Sequence, residues 1–275
     1  MSSQINQANL PILHFVHANS FPAGTYGVFF QHLRAHYDVR SLELHGHNPQ
    51  YPVTDGWPFL VQELIDTLTD NYRQPVILVG HSLGGILSFM VASLRPDLVR
   101  AVVVVDSPIV AGWRATLLMV FKKLGLDKNF SPARFSEKRR IYWKDAEEAY
   151  QHFVSKDMFS IWPPEVLRDY IDAGTKPHPE GVTLRFTRDV ESQIYLTLPH
   201  HLGVIARRGL KVPVGFVGGT ESVECKQGGL NATKKLVGKH FIKIPGGHLL
   251  PMEVPAETAK AVHAMINAFK LKEPS

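Results

Sequence analysis

The sequence predicts an α/β protein: a mostly parallel sheet with helices on both faces. Three observations carry this. Strand-like and helix-like segments alternate over the first hundred and the last seventy residues. The segment "VRAVVVVDS" (99–107) is apolar at successive positions, as a strand covered on both faces requires. At 275 residues and 44% hydrophobic content, the chain can bury a sizeable core.

Taken in order, "ILHFVHA" (12–18) is a buried-strand candidate and "TYGVFFQHLRAHY" (25–37) has helical spacing. "DVRSLELHG" (38–46) reads as the next strand. In "GWPFLVQELIDTLTDN" (56–71), Val61, Ile65 and Leu68 share one helical face, with Trp57 and Leu64 beside it. A strand over 76–80 then meets a helix over 83–94, closed by Pro96. Near the end, "VPVGFVGG" (212–219) and "HFIKIPGG" (240–247) are strands separated by a helix. The last helix, 255–271, buries Val262, Ile266 and Phe269.

Between 108 and 205 the alternation breaks. This stretch holds Trp113, Trp143 and Trp162, several amphipathic helix candidates and no convincing strand. The reading is a helical cap insertion (108–205) over the carboxyl edge of a core formed by 1–107 and 206–275. Within the cap, Trp143 and Trp162 are candidates to shape a substrate pocket; the alternative is that they are core residues of a helical subdomain.

Composition excludes several classes. Lys and Arg outnumber Asp and Glu by 30 to 25, a formal charge of +5 without a basic arm or an aromatic-basic platform, so no nucleic-acid partner is expected. The single cysteine, Cys225, forms no internal disulfide and fits a reducing compartment. The amino terminus lacks the cationic start and apolar run of a secretory leader, and no apolar run approaches the roughly 18 residues of a membrane span. A cytoplasmic location is the expectation; the sequence leaves the oligomeric state open.

The chemistry centres on "PVILVGHSLGGILSFMVASL" (75–94), where Gly-x-Ser-x-Gly follows a predicted strand and opens a predicted helix. Gly80 and Gly84 lack Cβ atoms where strand and helix crowd together, so Ser82 can take a strained backbone and project its hydroxyl. The helix start directs unpaired N–H groups at charge developing there. A plain glycine-rich turn is the alternative; a phosphate cradle lacks its Gly-x-Gly-x-x-Gly or Walker lysine. A serine hydroxyl needs a base. Among 14 histidines, His248 in "IPGGHLLPMEVP" stands between the last strand and the last helix, on a glycine-flanked loop. Two residues compete as the acid that orients it. Glu221 in "FVGGTES" is favoured, because it follows the strand next to the one delivering His248; Asp106 in "VVVVDSP" is the alternative. The oxyanion donors are assigned to the backbone N–H groups of Leu83 and Asn19, the latter in "FVHANSFPAG".

"HANSFPAG", "HGHNP", "GHSLGG", "GGTES" and "GGHLLPMEVP" together resemble the successive landmarks of the α/β-hydrolase fold family, from residue 12 to the end apart from the insertion. The resemblance implies Ser82 as nucleophile, His248 as base, Leu83 and Asn19 as oxyanion donors, and the insertion as the family's variable cap. The sequence departs from the family twice: His17-Ala18 replaces His-Gly in the oxyanion loop, and Glu221 stands at the usual aspartate.

The expected reaction is two-step hydrolysis of a small or medium carboxylic ester through an acyl-enzyme, with a small-molecule ester as partner and no metal or organic cofactor. C–C bond hydrolysis and perhydrolysis on the same fold are alternatives, as is a non-catalytic ligand-binding protein, since fold does not fix function. His45-Gly-His47 does not extend to a metal-ligand set. The basic segment 134–144 (Arg134, Lys138, Arg139, Arg140, Lys144) reads as a solvated helix face rather than an anion site, and Cys225 as a bystander.

Overall fold

The computed structural model describes residues 10–125 and 139–272. In chain order the strands are β1 (Ile12–Val16), β2 (Asp38–Ser41), β3 (Val76–His81), β4 (Val99–Val105), β5 (Tyr142–Trp143), β6 (Thr175–His178), β7 (Gly181–Leu184), β8 (Val214–Gly219) and β9 (Phe241–Ile244). Six of them form one sheet in the order β2-β1-β3-β4-β8-β9, every neighbouring pair parallel.

The valine-rich strands are apolar throughout because alternate residues feed two separate cores. Leu13, Phe15, Ile77, Val79, Val103, Val105 and Val217 point to one face. There they meet Phe29, Phe30 and Leu33 of α1 (Gly27–Leu33) and Val262, Met265 and Ile266 of the last helix (Pro255–Ala268). Val16, Val76, Leu78, Val102, Val104 and Phe216 point to the other face. Their partners are Leu60, Val61, Leu64 and Leu68 of α2 (Pro58–Asn71) and Leu87, Met90 and Val91 of α3 (Leu83–Leu94).

The chain runs from β1 outward to β2, then returns past β1 to β3. The strand order therefore reverses between β1 and β3, and a crevice opens at their carboxyl ends. Asn19 follows β1 and Ser82 follows β3, so both stand at this point.

Between β4 and β8 lie α4 (Trp113–Lys123), α5 (Ala146–Val154), a helical turn Asp157–Ser160, α6 (Pro164–Gly174), α7 (Arg188–Leu196) and α8 (Leu202–Arg208). The expectation of a strand-free insertion is corrected here: β5, β7 and β6 form a three-stranded antiparallel sheet. These strands are two to four residues long, too short to show a period of two in sequence. The segment "TKPHPEG" (175–181) supplies β6 and the two residues that close its hairpin onto β7. Of the basic segment 134–144, read as a helix face, the described part precedes α5, which begins at Ala146, and includes β5; Arg134 and Lys138 lie outside the described residues. Among the described residues, no helix is long and apolar enough to cross a membrane.

Candidate active site

Ser82 is held at φ 53° and ψ −115° between β3 and α3, a positive φ that L-residues avoid. The glycines around it explain how this is tolerated. A Cβ on Gly80 would run into the backbone carbonyl of Gly84, and a Cβ on Gly84 into the backbone carbonyl of Val16. Backbone bonds fix the turn: Ser82 N–H donates to Val105 O (3.0 Å), and Ser107 Oγ donates to Ser82 O (2.6 Å).

The Ser82 hydroxyl lies 3.0 Å from His248 Nε2, and His248 Nδ1 lies 2.8 Å from Asp106 Oδ1. The carboxylate that meets the imidazole is Asp106, the alternative from sequence, and not Glu221. Glu221 is exposed, tied to the β9 loop through its backbone (Glu221 N–H to Gly246 O, 3.0 Å), and its side chain stands on the rim of the crevice. Asp106 is fully buried and leaves β4 at φ 42°, a turn that directs its carboxylate towards the β8 loop. There Gly219 N–H donates to Oδ2 (2.6 Å) and Ser222 Oγ donates to Oδ1 (2.6 Å). Cys225, expected to be a bystander, sits beneath this carboxylate, Sγ 3.5 Å from each oxygen.

The electrostatics follow from these contacts. Burial alone would raise the Asp106 pKa, but hydrogen bonds from His248, Gly219 and Ser222 outweigh it and hold the carboxyl below its ordinary value. Burial likewise disfavours a charged His248; the Asp106 hydrogen bond and the charges of Glu224, Asp106 and Glu253 outweigh that and raise its pKa. Burial first, then the Asp106 charge, pushes the Cys225 thiol up to about 12, so it is a neutral packing group.

Leu83 opens α3, so its N–H has no intrahelical acceptor. Asn19 and Leu83 line a cavity with Ser82 and His248. Two cavities meet at Ser82. One, of about 580 Å³, is walled by Trp57, Ile86, Trp113, Leu118, Phe121 and Ile194, and is largely apolar. The other, of about 360 Å³, has a mixed wall that includes Phe21, Arg139, Glu191 and Tyr195.

The two tryptophans assigned to the pocket are elsewhere. Trp143 and Trp162 are buried and line neither cavity beside Ser82. Trp143 packs on Phe153 (ring centroids 5.3 Å apart), and Trp162 on Phe159 (4.7 Å) and behind Phe21 (5.9 Å). Trp113, given no role from sequence, is the tryptophan of the insertion on a cavity wall. Of the basic segment, Arg139 pairs with Glu191 (2.6 Å) and Arg140 with Glu148 (2.7 Å).

His45 and His47 build the loop after β2. His45 Nδ1 lies 2.9 Å from Glu63 Oε2, its backbone N–H donates to His17 Nε2 (2.8 Å), and His47 Nε2 accepts from Thr187 N–H (3.1 Å). Among the described residues, one set of three ligand-type groups converges, Asp106, Glu224 and His248. Two of these three already spend the atoms concerned on each other, and a metal ion there would break the line to Ser82.

A parallel sheet carrying a serine turn, a histidine loop and a buried carboxylate at its carboxyl edge defines the architecture of the α/β hydrolases. The model of the alpha/beta hydrolase family matches residues 15–261, and the chain belongs to that family. A Haemophilus influenzae protein named "Putative esterase/lipase" is 27% identical over 105 residues, 38% of this chain and 37% of that protein's length. Two solved structures have the same fold. E-2-(acetamidomethylene)succinate hydrolase aligns over 94% of this chain and 91% of its own, with a TM-score of 0.77 and 21% identity. A thioesterase domain from the curacin biosynthetic pathway aligns over 93% and 91%, with a TM-score of 0.70 and 18% identity.

Proposed function

We propose that the protein is a serine hydrolase that cleaves small or medium carboxylic esters through an acyl-enzyme intermediate. The observation that carries this reading is the line from Ser82 Oγ through His248 to Asp106, 3.0 Å and 2.8 Å long, at the meeting point of two cavities.

His248 Nε2 takes the Ser82 proton as Oγ attacks the ester carbonyl carbon. The carbonyl oxygen becomes an oxyanion and accepts hydrogen bonds from the N–H groups of Leu83 and Asn19. Asp106 stays ionised throughout; it holds Nδ1–H, fixing the tautomer, and stabilises the imidazolium. When the tetrahedral intermediate collapses, the C–O bond to the alcohol breaks and His248 Nε2–H protonates the departing oxygen. Water then attacks the acyl-serine and gives its proton to His248 Nε2. As the acid is released, that proton returns to Ser82 Oγ. No step needs a group beyond these side chains and water.

The apolar cavity suits an acyl chain, and the mixed one suits the other arm of the substrate. The test is turnover of model esters of graded acyl length beside Ser82→Ala. Hydrolysis by the wild type that disappears in the variant supports the reading. Covalent labelling of Ser82 by a fluorophosphonate without turnover of any ester would move the assignment towards C–C bond hydrolysis.

A further inference from the structure

His81, the residue before the serine, is fully buried, and the hydrogen bonds of its ring nitrogens go to groups other than the side chains of Ser82, His248 and Asp106. Both nitrogens are nevertheless committed. Nδ1 lies 2.9 Å from the Tyr26 hydroxyl, and Nε2 lies 2.9 Å from the backbone carbonyl of His248. The Tyr26 oxygen in turn accepts a hydrogen bond from Ala18 N–H (3.0 Å).

The proton inventory of this chain has one solution. A carbonyl only accepts, so His81 Nε2 carries the hydrogen. Nδ1 is then the acceptor, and Tyr26 O–H donates to it. With its proton pointed at His81, Tyr26 oxygen is left to accept from Ala18. Burial, and next the nearby His248 charge, lower the His81 pKa to about 3, which agrees with a neutral ring. Burial also raises the Tyr26 pKa, keeping its hydroxyl protonated.

The two ends of the chain are informative. Ala18 immediately precedes Asn19, whose N–H is one oxyanion donor in the reading above. The other end is the backbone of the base itself. We propose that His81 and Tyr26 are positioning residues: a buried relay from Ala18 N–H through Tyr26 and His81 to His248 O that sets the oxyanion loop and the base in register on either side of Ser82. The proposal rests on the assigned roles of Ser82, His248 and Asn19.

A neutral ring is what this task requires. A cation at His81, whose ring centroid is 5.2 Å from that of His248, would oppose formation of the imidazolium during attack. The fixed tautomer gives one donor and one acceptor without adding charge. Tyr26 also packs on Phe15 (4.5 Å between ring centroids), which anchors the relay to β1 beside the loop it steadies.

The experiment compares wild type with Tyr26→Phe, His81→Leu, His81→Gln and the Tyr26→Phe/His81→Leu double variant, with active sites counted by fluorophosphonate titration. Tyr26→Phe keeps the ring and removes the hydroxyl. It should lower kcat per titrated site by about ten- to hundredfold, because small misplacement of catalytic groups costs that much, with little change in KM. His81→Leu should lose at least as much, and His81→Gln, whose amide can donate to His248 O, should recover part of the loss. In the double variant the loss should stay near that of the worse single variant, as for groups acting as one unit. If Tyr26→Phe and His81→Leu change thermal stability but leave kcat per titrated site at the wild-type level, the relay is only structural and the proposal fails. It fails equally if the two losses simply multiply. A wild type that neither labels nor turns over esters would instead overturn the underlying reading of the site.

Discussion

Asp106 Oδ1 lies 2.8 Å from His248 Nδ1, and the same carboxylate takes two further hydrogen bonds from the β8 loop, Gly219 N–H and Ser222 Oγ–H. The carboxylate that meets the imidazole therefore comes from the end of β4, the strand beside the one that leads to Ser82, and is clamped by the end of β8 and the loop after it. Replacing Asp106 with Asn keeps its shape but favours the wrong imidazole tautomer, so kcat should fall by about 10⁴. Glu221→Gln, altering an exposed rim residue, should cost less than about tenfold. Steady-state kinetics on one ester decide between them, and equal losses would break the assignment.

This is also where the sequence was least legible. The candidates Ser82 and His248 could be read locally, because the strand, the turn glycines and the following helix are contiguous and the chemistry of a serine turn is written within five residues. The acid depends on which strand's end faces the imidazole, and chain order permits both Asp106 and Glu221. A local signal did exist: a run of valines ends abruptly in Asp106-Ser107, placing a carboxylate at the sheet edge. The burial of β4 on both faces was likewise legible, whereas the short strands β5 to β7 were not. Which tryptophan meets the crevice is set by packing between elements distant in the chain, and Trp143 and Trp162 carry no local mark of it.

The pH dependence should follow His248. The base acts when neutral, and its pKa is raised above the ordinary 6.5, so kcat/KM should rise with pH along a limb centred above 6.5. Asp106→Asn removes both the hydrogen bond and the charge that hold the proton on, so the limb should move to lower pH in the residual activity of that variant. A limb that stays in place would show that Asp106 does not govern the His248 proton.

The turn itself has no slack. A Cβ at position 84 meets the main chain of β1 rather than a movable side chain. Gly84→Ala should therefore lose about 1–3 kcal/mol or more of stability, as overpacked sites do. Thermal or denaturant unfolding measures this, and a variant as stable as wild type would mean that β1 and α3 are not packed as described.

Selectivity should follow the cavity wall and not the buried tryptophans. Trp162→Ala should cost about 3–5 kcal/mol of stability. Ile86 stands one helical turn beyond Ser82 on the apolar wall. Ile86→Trp fills that space and should depress the octanoyl-to-acetyl ratio of kcat/KM by about tenfold or more. Conservative Trp162→Phe should leave the ratio within about threefold of wild type. A ratio that responds to Trp162→Phe and ignores Ile86→Trp would place the acyl chain elsewhere.

The central claim is that Ser82 is the nucleophile, and mapping the adduct of a fluorophosphonate probe tests it most directly. Mass spectrometry of the digested, labelled protein should find the phosphonyl group on Ser82, no labelling in Ser82→Ala, and much slower labelling in Asp106→Asn. An adduct on another residue, or labelling that persists in Ser82→Ala, would contradict the account.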